Sequence, residues 1–135
     1  MKFSIILFWT IFIANSCSKN EFSVAENVPD KTVFDKELKI ELDTKYSNQN
    51  GKKLTLDWEL LSNKPLKKQN SYPEYFVWIK MNKDNKVVNQ GLVKLIVKEK
   101  KFHSIAFMND QRIQAAPNDA RREFPLEILD RIDNK

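Results

Sequence analysis

Strict alternation of apolar and polar residues is the feature that most narrows what this chain can fold into. Leu54, Leu56, Trp58 and Leu60 are separated by Thr55, Asp57 and Glu59. Successive side chains of a strand point to opposite faces, so this segment buries one face and wets the other. Leu38, Ile40 and Leu42 alternate with Lys39, Glu41 and Asp43 in the same manner. Between them lies Asn48-Gln49-Asn50-Gly51, whose Asn-Gly pair tolerates positive φ, and the three pieces together predict an antiparallel hairpin.

Further along, Tyr75 to Ile79 is continuously apolar, the pattern of a strand buried on both faces. The Asn82-Lys83-Asp84-Asn85 turn sends the chain back through Val87 and Val88. Gly91 inside the return strand implies a bulge or a close backbone approach, and Leu92 to Val97 continues the strand. Phe102 to Met108 and Ile113 to Ala116 are expected as further strands, separated by Asn109-Asp110-Gln111. The end of the chain supports two readings. Phe124, Leu126 and Ile128 alternate as a strand does, which is the reading preferred; Leu126, Leu129 and Ile132 after Pro125 fit a short helix.

Six or seven short strands with polar turns predict an all-β fold, a small antiparallel two-sheet sandwich of immunoglobulin-like type with a possible short C-terminal helix. The alternative is one curved sheet covered by a C-terminal helix. With 41% hydrophobic and 30% charged residues the chain has enough apolar surface to offset the entropy of folding. Its 135 residues leave room for one domain of ordinary size.

The N-terminus reads as an export signal. Met1-Lys2 is followed by a run from Phe3 to Ile13 interrupted only by Ser4 and Thr10, then by Ala14-Asn15-Ser16 and Cys17. That run is shorter than the roughly 20 residues a membrane-spanning helix needs. The Ala14-Asn15-Ser16-Cys17 segment resembles the lipobox of bacterial lipoproteins, although Asn15 stands where a small residue is usual. The resemblance covers residues 1 to 17. It implies removal of residues 1–16 and attachment of diacylglycerol and an N-acyl chain, such as palmitate, to Cys17. Two such chains suffice for stable anchoring. Ser18 in place of Asp implies sorting to the outer membrane, and Lys19-Asn20-Glu21 is similar to the charged segment of surface-exposed lipoproteins of the Bacteroidota. Residues 17–31 are then expected to form the lipidated cysteine and its tether, and 32–135 a single β-sandwich domain on the periplasmic face or the cell surface.

Chemistry has few places to reside. One Cys and one His exclude an intramolecular disulfide and a multi-histidine metal site, so no metal is expected. Two glycines cannot build a phosphate-cradling loop or dinucleotide fingerprint, so no cofactor is expected beyond the lipid on Cys17. No Gly-x-Ser-x-Gly elbow accompanies His103, which reads as an ordinary strand residue. Asp57 and Glu59 share one strand face and could in principle serve as an acid/base pair, yet two carboxylates on a wet face are far more often only solvated. Asp84 has Asn82 and Asn85 beside it, but Lys83 and Lys86 would repel a cation. No catalytic residue, and no enzyme, is expected.

Charge points to a surface instead. The net charge is +5, and 19 of the 23 cations are Lys, which suits solubility better than phosphate or base recognition, so nucleic acid is not expected as a partner. Residues 64–101 concentrate the basicity, with ten Lys against Glu74, Asp84 and Glu99. Lys64, Lys67 and Lys68 lie just before Tyr72 and Tyr75, pairing cations with amphipathic rings as a partner-binding loop would. The expected role is a non-catalytic outer-membrane lipoprotein, an interaction or accessory subunit of a cell-envelope protein complex. The alternatives are an immunity or inhibitor lipoprotein against a toxin or hydrolase, and a carbohydrate-binding surface lipoprotein that stacks sugars on Trp and Tyr.

Overall fold

The computed structural model describes residues 28–62, 72–133 and 135. The described chain begins with α1 (Lys31–Tyr46), followed by a small hairpin of β1 (Asn48–Gln49) and β2 (Lys52–Lys53). Four longer strands follow, β3 (Thr55–Leu60), β4 (Glu74–Lys83), β5 (Lys86–Lys98) and β6 (Lys101–Asn109). Three short helices close the chain: α2 (Asp110–Ala115), α3 (Pro117–Glu123) and α4 (Leu126–Ile132). The four strands form one antiparallel sheet in chain order, and β1 and β2 form a separate two-stranded one. The fold is therefore mostly β and antiparallel, with helices added.

The sheet is the middle layer, which explains the unbroken apolar run in β4. Tyr75, Val77, Ile79 and Met81 belong to the core shared with α1, while Phe76 and Trp78 belong to the core shared with α3 and α4. On the first face Phe34, Leu38 and Leu42 of α1 recur every four residues and are buried together. The Phe34 ring meets Tyr75 and Phe102 edge-on, at centroid separations of 5.3 and 5.0 Å. Polar contacts at the far end of α1 fix its rotation. The Glu41 carboxylate accepts the Ser104 N–H at 2.8 Å, and the Tyr46 and Ser104 hydroxyls share a hydrogen bond. Ser104 adjoins a bulge in β6, where Lys94 pairs with Ala106 and Leu95 with Ser104, leaving Ile105 as the extra residue.

On the second face Ala120, Phe124, Ile128 and Ile132 cover Phe76, Trp78, Leu92 and Met108. Pro117 opens α3 where its missing N–H costs nothing. Lys94 reaches up from the sheet and donates to the Glu123 carbonyl at 3.3 Å, placing a cation at the negative end of α3. Arg131 of α4 donates to the Leu61 carbonyl.

The structure differs from the sequence expectations in several elements. The Leu38–Leu42 segment is helix, because Phe34, Leu38 and Leu42 form a buried stripe and Ile40 is half exposed. The Asn50-Gly51 turn does form, both residues at positive φ, but it joins β1 to β2. Ile113 to Ala116 falls in and after α2, because Asn109 caps that helix, its side chain accepting the Arg112 N–H at 2.8 Å. The C-terminal segment is the helix α4, which Pro125 precedes in extended conformation. What covers the sheet is helix on both faces, in place of the second packed sheet that an immunoglobulin-like sandwich requires. Val28 is already buried in the α1-face core, so the fold begins inside the stretch expected as tether.

Gly91 answers to close approach. A Cβ there would lie 2.3 Å from the Met108 carbonyl oxygen and 2.7 Å from Asn109 Cα, both backbone atoms that cannot yield.

Candidate interaction surface

The β5–β6 ladder runs only from Gly91 to Lys98. The first five residues of β5 pair with β4 alone, because β6 ends at Asn109 and the chain turns into α2. A second bulge falls in this unaccompanied stretch. Met81 pairs with Asn89 and Asn82 with Val87, so Val88 is the extra residue. Bulges re-aim side chains, and here Val87 and Val88 are 51% and 52% exposed.

The space that a longer β6 would fill is an open cleft of about 420 Å³, lined by Val87 to Gln90 on one side and Asn109 to Gln111 on the other. Its polar groups are held in place from within. Asp110 accepts from Gln90 Nε2 at 3.4 Å and from Gln114 Nε2 at 3.0 Å, tying β5 to α2. The Asn89 side chain accepts the Gln90 N–H at 2.9 Å. Two exposed valines beside carboxamide groups make an apolar anchor with a hydrogen-bonding rim, an arrangement suited to holding another molecule. Carboxamides do not titrate, and among the described residues Asp110 is the sole ionisable side chain lining the cleft.

The residues singled out from sequence are dispersed. Cys17, Lys64, Lys67 and Lys68 lie outside the described residues. Tyr72 is exposed, and the Lys98 ammonium sits 5.7 Å from its ring centroid. Tyr75 is fully buried among Phe34 and Phe102 and is unavailable to a partner, because the side-chain period of two carries it to the α1 face. Among the described residues its hydroxyl has no hydrogen-bond partner, and burial pushes its pKa well above the usual tyrosine value. Burial likewise raises the Tyr46 pKa; the Ser104 hydrogen bond opposes this and the Glu41 charge adds to it. His103 is exposed on β6. Asp57 accepts from Asn82 Nδ2 at 3.0 Å and Glu59 pairs with Lys135, so the two carboxylates have separate partners beside a cleft of about 190 Å³. Trp78 is buried under α3 and α4, and Trp58 is half-buried against the α1-face core. Among the described residues no three His, Cys, Asp or Glu side chains gather as metal ligands do, and no helix is long and apolar enough to cross a membrane.

Sequence reasoning passed over the Val87–Gln90 cleft. Its one signal was the break in alternation at Val87-Val88, where two adjacent apolar residues mark an extra residue in the strand. Compared with known proteins, the chain matches no family model, no curated sequence and no solved structure.

Proposed function

We propose that this protein is a lipid-anchored domain of the bacterial outer membrane that serves as a non-catalytic interaction or accessory subunit of an envelope protein complex. The observation that carries the binding role is the exposed Val87–Val88 pair set in the amide-lined cleft where β6 stops short. An apolar pair of this kind contributes when a partner covers it and excludes water. The anchor is inferred from the lipobox-like segment ending at Cys17.

The test is isolation of the protein from gently solubilised native membranes, followed by mass spectrometry of co-isolated chains, with the native protein beside Val87→Glu and Val88→Glu. Both side chains are at the surface, so the variants are expected to fold. A membrane partner recovered in constant ratio with the native chain, and lost with both variants, supports the reading. Equal recovery with all three chains removes the cleft as the binding site, and a chain that is always solitary removes the accessory-subunit role.

A further inference from the structure

The ends of the sheet differ in what they gather. At one end lie the start of α1, the return into β4 and the β5–β6 turn. The contacts of Phe34 with Phe102 and Tyr75, and the hydrogen bond from the Val97 N–H to the Pro73 carbonyl, bring these three pieces together. This is also where the N-terminal chain joins the fold, since Val28 is buried just before α1. We call it the proximal end. The distal end carries the β4–β5 turn at Asp84–Asn85, and ten-residue β4 separates the two by about 33 Å.

Lys31, Lys36, Lys98, Lys100 and Lys101 are exposed at the proximal end, with Asp30, Asp35 and Glu99 their exposed acidic neighbours. Tyr72 is 48% exposed beneath Lys98, and Val33 in the first turn of α1 is 40% exposed. Cations set around an amphipathic ring and a small apolar side chain match the headgroup layer of a bilayer, where tyrosine is at home and lysine stems bury while their charges stay wet. The β5–β6 turn is also held against local preference. Glu99 and Lys100 adopt φ of 53° and 63°, a region that Asn and Gly occupy far more readily. The strained pair places Lys100 at the tip of the turn.

We propose that the proximal end is a bilayer-facing surface, on which Lys31 and the Lys98–Lys101 turn seat against anionic phospholipid headgroups. This rests on the lipid-anchored reading. Two arguments select the occupant. Only residues 18–27 separate Cys17 from Val28, which is buried just before α1, so an anchor at Cys17 is joined to the fold at its proximal end. The exposed charge there is predominantly positive, complementary to an anionic headgroup layer. The distal cleft with Val87 and Val88 then faces away from the membrane.

The full chain extracted from membranes is reconstituted into vesicles of phosphatidylcholine alone, or of phosphatidylcholine mixed with phosphatidylglycerol. Lysine reactivity towards a membrane-impermeant acylating reagent is read by mass spectrometry. The expected result is protection of Lys98, Lys100 and Lys101 by about fivefold or more in the anionic vesicles, reversed by high salt, with Lys80, Lys83 and Lys86 unchanged. The triple change Lys98→Glu, Lys100→Glu, Lys101→Glu should abolish protection of Lys31. Equal reactivity in both vesicles, protection that salt does not reverse, protection of the distal lysines instead, or the same protection by soluble inorganic phosphate would each overturn the proposal. The mass of the Cys17 peptide from the same sample tests the anchor separately. An unmodified Cys17 ends the lipoprotein reading, while the lysine pattern still decides which end meets the bilayer.

Discussion

The two faces of the sheet are covered by different kinds of structure. One carries a single 16-residue helix whose buried stripe locks into an aromatic cluster and whose far end is hydrogen-bonded to β6 through Glu41 and Tyr46. The other carries helices of six, seven and seven residues, none long enough to be stable by itself. They stay because Phe124, Ile128 and Ile132 are buried and because Lys94 and Arg131 hold individual carbonyls. Trp78 on this second face has an indole N–H with no hydrogen-bond partner among the described residues. A long helix brings its own backbone bonds to the sheet, whereas short ones depend on every side-chain contact. The second face should therefore open first.

Removing one aromatic ring from each face tests this most strongly. Phe34→Ala should cost about 4 kcal/mol and Phe124→Ala about 3 kcal/mol in denaturant unfolding. Hydrogen exchange should show the Phe34 variant losing protection across the whole sheet, and the Phe124 variant losing it chiefly in α3 and α4. Identical exchange patterns would break the comparison. Gly91→Ala intrudes on the β5–β6 ladder that both faces share, and should cost about 2–3 kcal/mol while shifting both faces together.

Alkaline titration separates the faces by chemistry, since the raised tyrosines Tyr46 and Tyr75 both lie on the α1 face. The native state holds these protons more tightly than the unfolded chain. Their contribution is complete below the ordinary tyrosine value of about 10, and each group loses up to about 1.4 kcal/mol per pH unit as pH rises from there towards its native value. Tyr75→Phe should flatten this limb and, by deleting a buried hydroxyl that has no partner among the described residues, leave stability at neutral pH unchanged or higher by about 1 kcal/mol. Tyr46→Phe should cost about 1 kcal/mol at neutral pH, because the Ser104 hydroxyl loses its partner. The last effect, of similar size, belongs to neither face. Glu99→Asn with Lys100→Gly relieves the positive-φ turn and should raise stability by about 1 kcal/mol, moving both faces equally in thermal unfolding.

Most of the sheet was legible in the residues. The alternation in Leu54–Leu60 became β3, the unbroken run at Tyr75–Ile79 became the doubly covered β4, and Phe102–Met108 became β6. What misled was α1. Leu38 and Leu42 satisfy a period of two and a spacing of four at once, and Phe34, which decides between them, lies outside the alternating stretch. The C-terminal helices were hidden for a related reason. Each spans two turns or fewer, too short for periodicity to speak, so their caps and prolines had to carry the signal. Of the residues expected to bind a partner, Tyr75 went to the core because strand parity governs a side chain's direction more strictly than proximity to charge. The Val87–Gln90 cleft depends on where β6 ends, a fact of tertiary structure that local sequence does not encode.

The order of strands in the sheet also determines how the molecule reaches its fold. Each of β3 to β6 lies beside its neighbour in the chain, and tight turns at Asp84–Asn85 and Glu99–Lys100 close two of the three junctions. Such contacts are local in sequence, and chains rich in them fold quickly because little loop entropy must be lost before pairing is rewarded. The helices are less local: Tyr46 of α1 meets Ser104 of β6 across 58 residues, and Arg131 of α4 meets Leu61 across 70. A polypeptide threaded through a membrane from its N-terminus would emerge with α1 first and would have to wait for β6. The meander can zip from β3 as it appears, and the helix waiting beside it would dock on its own face only once β6 is in place.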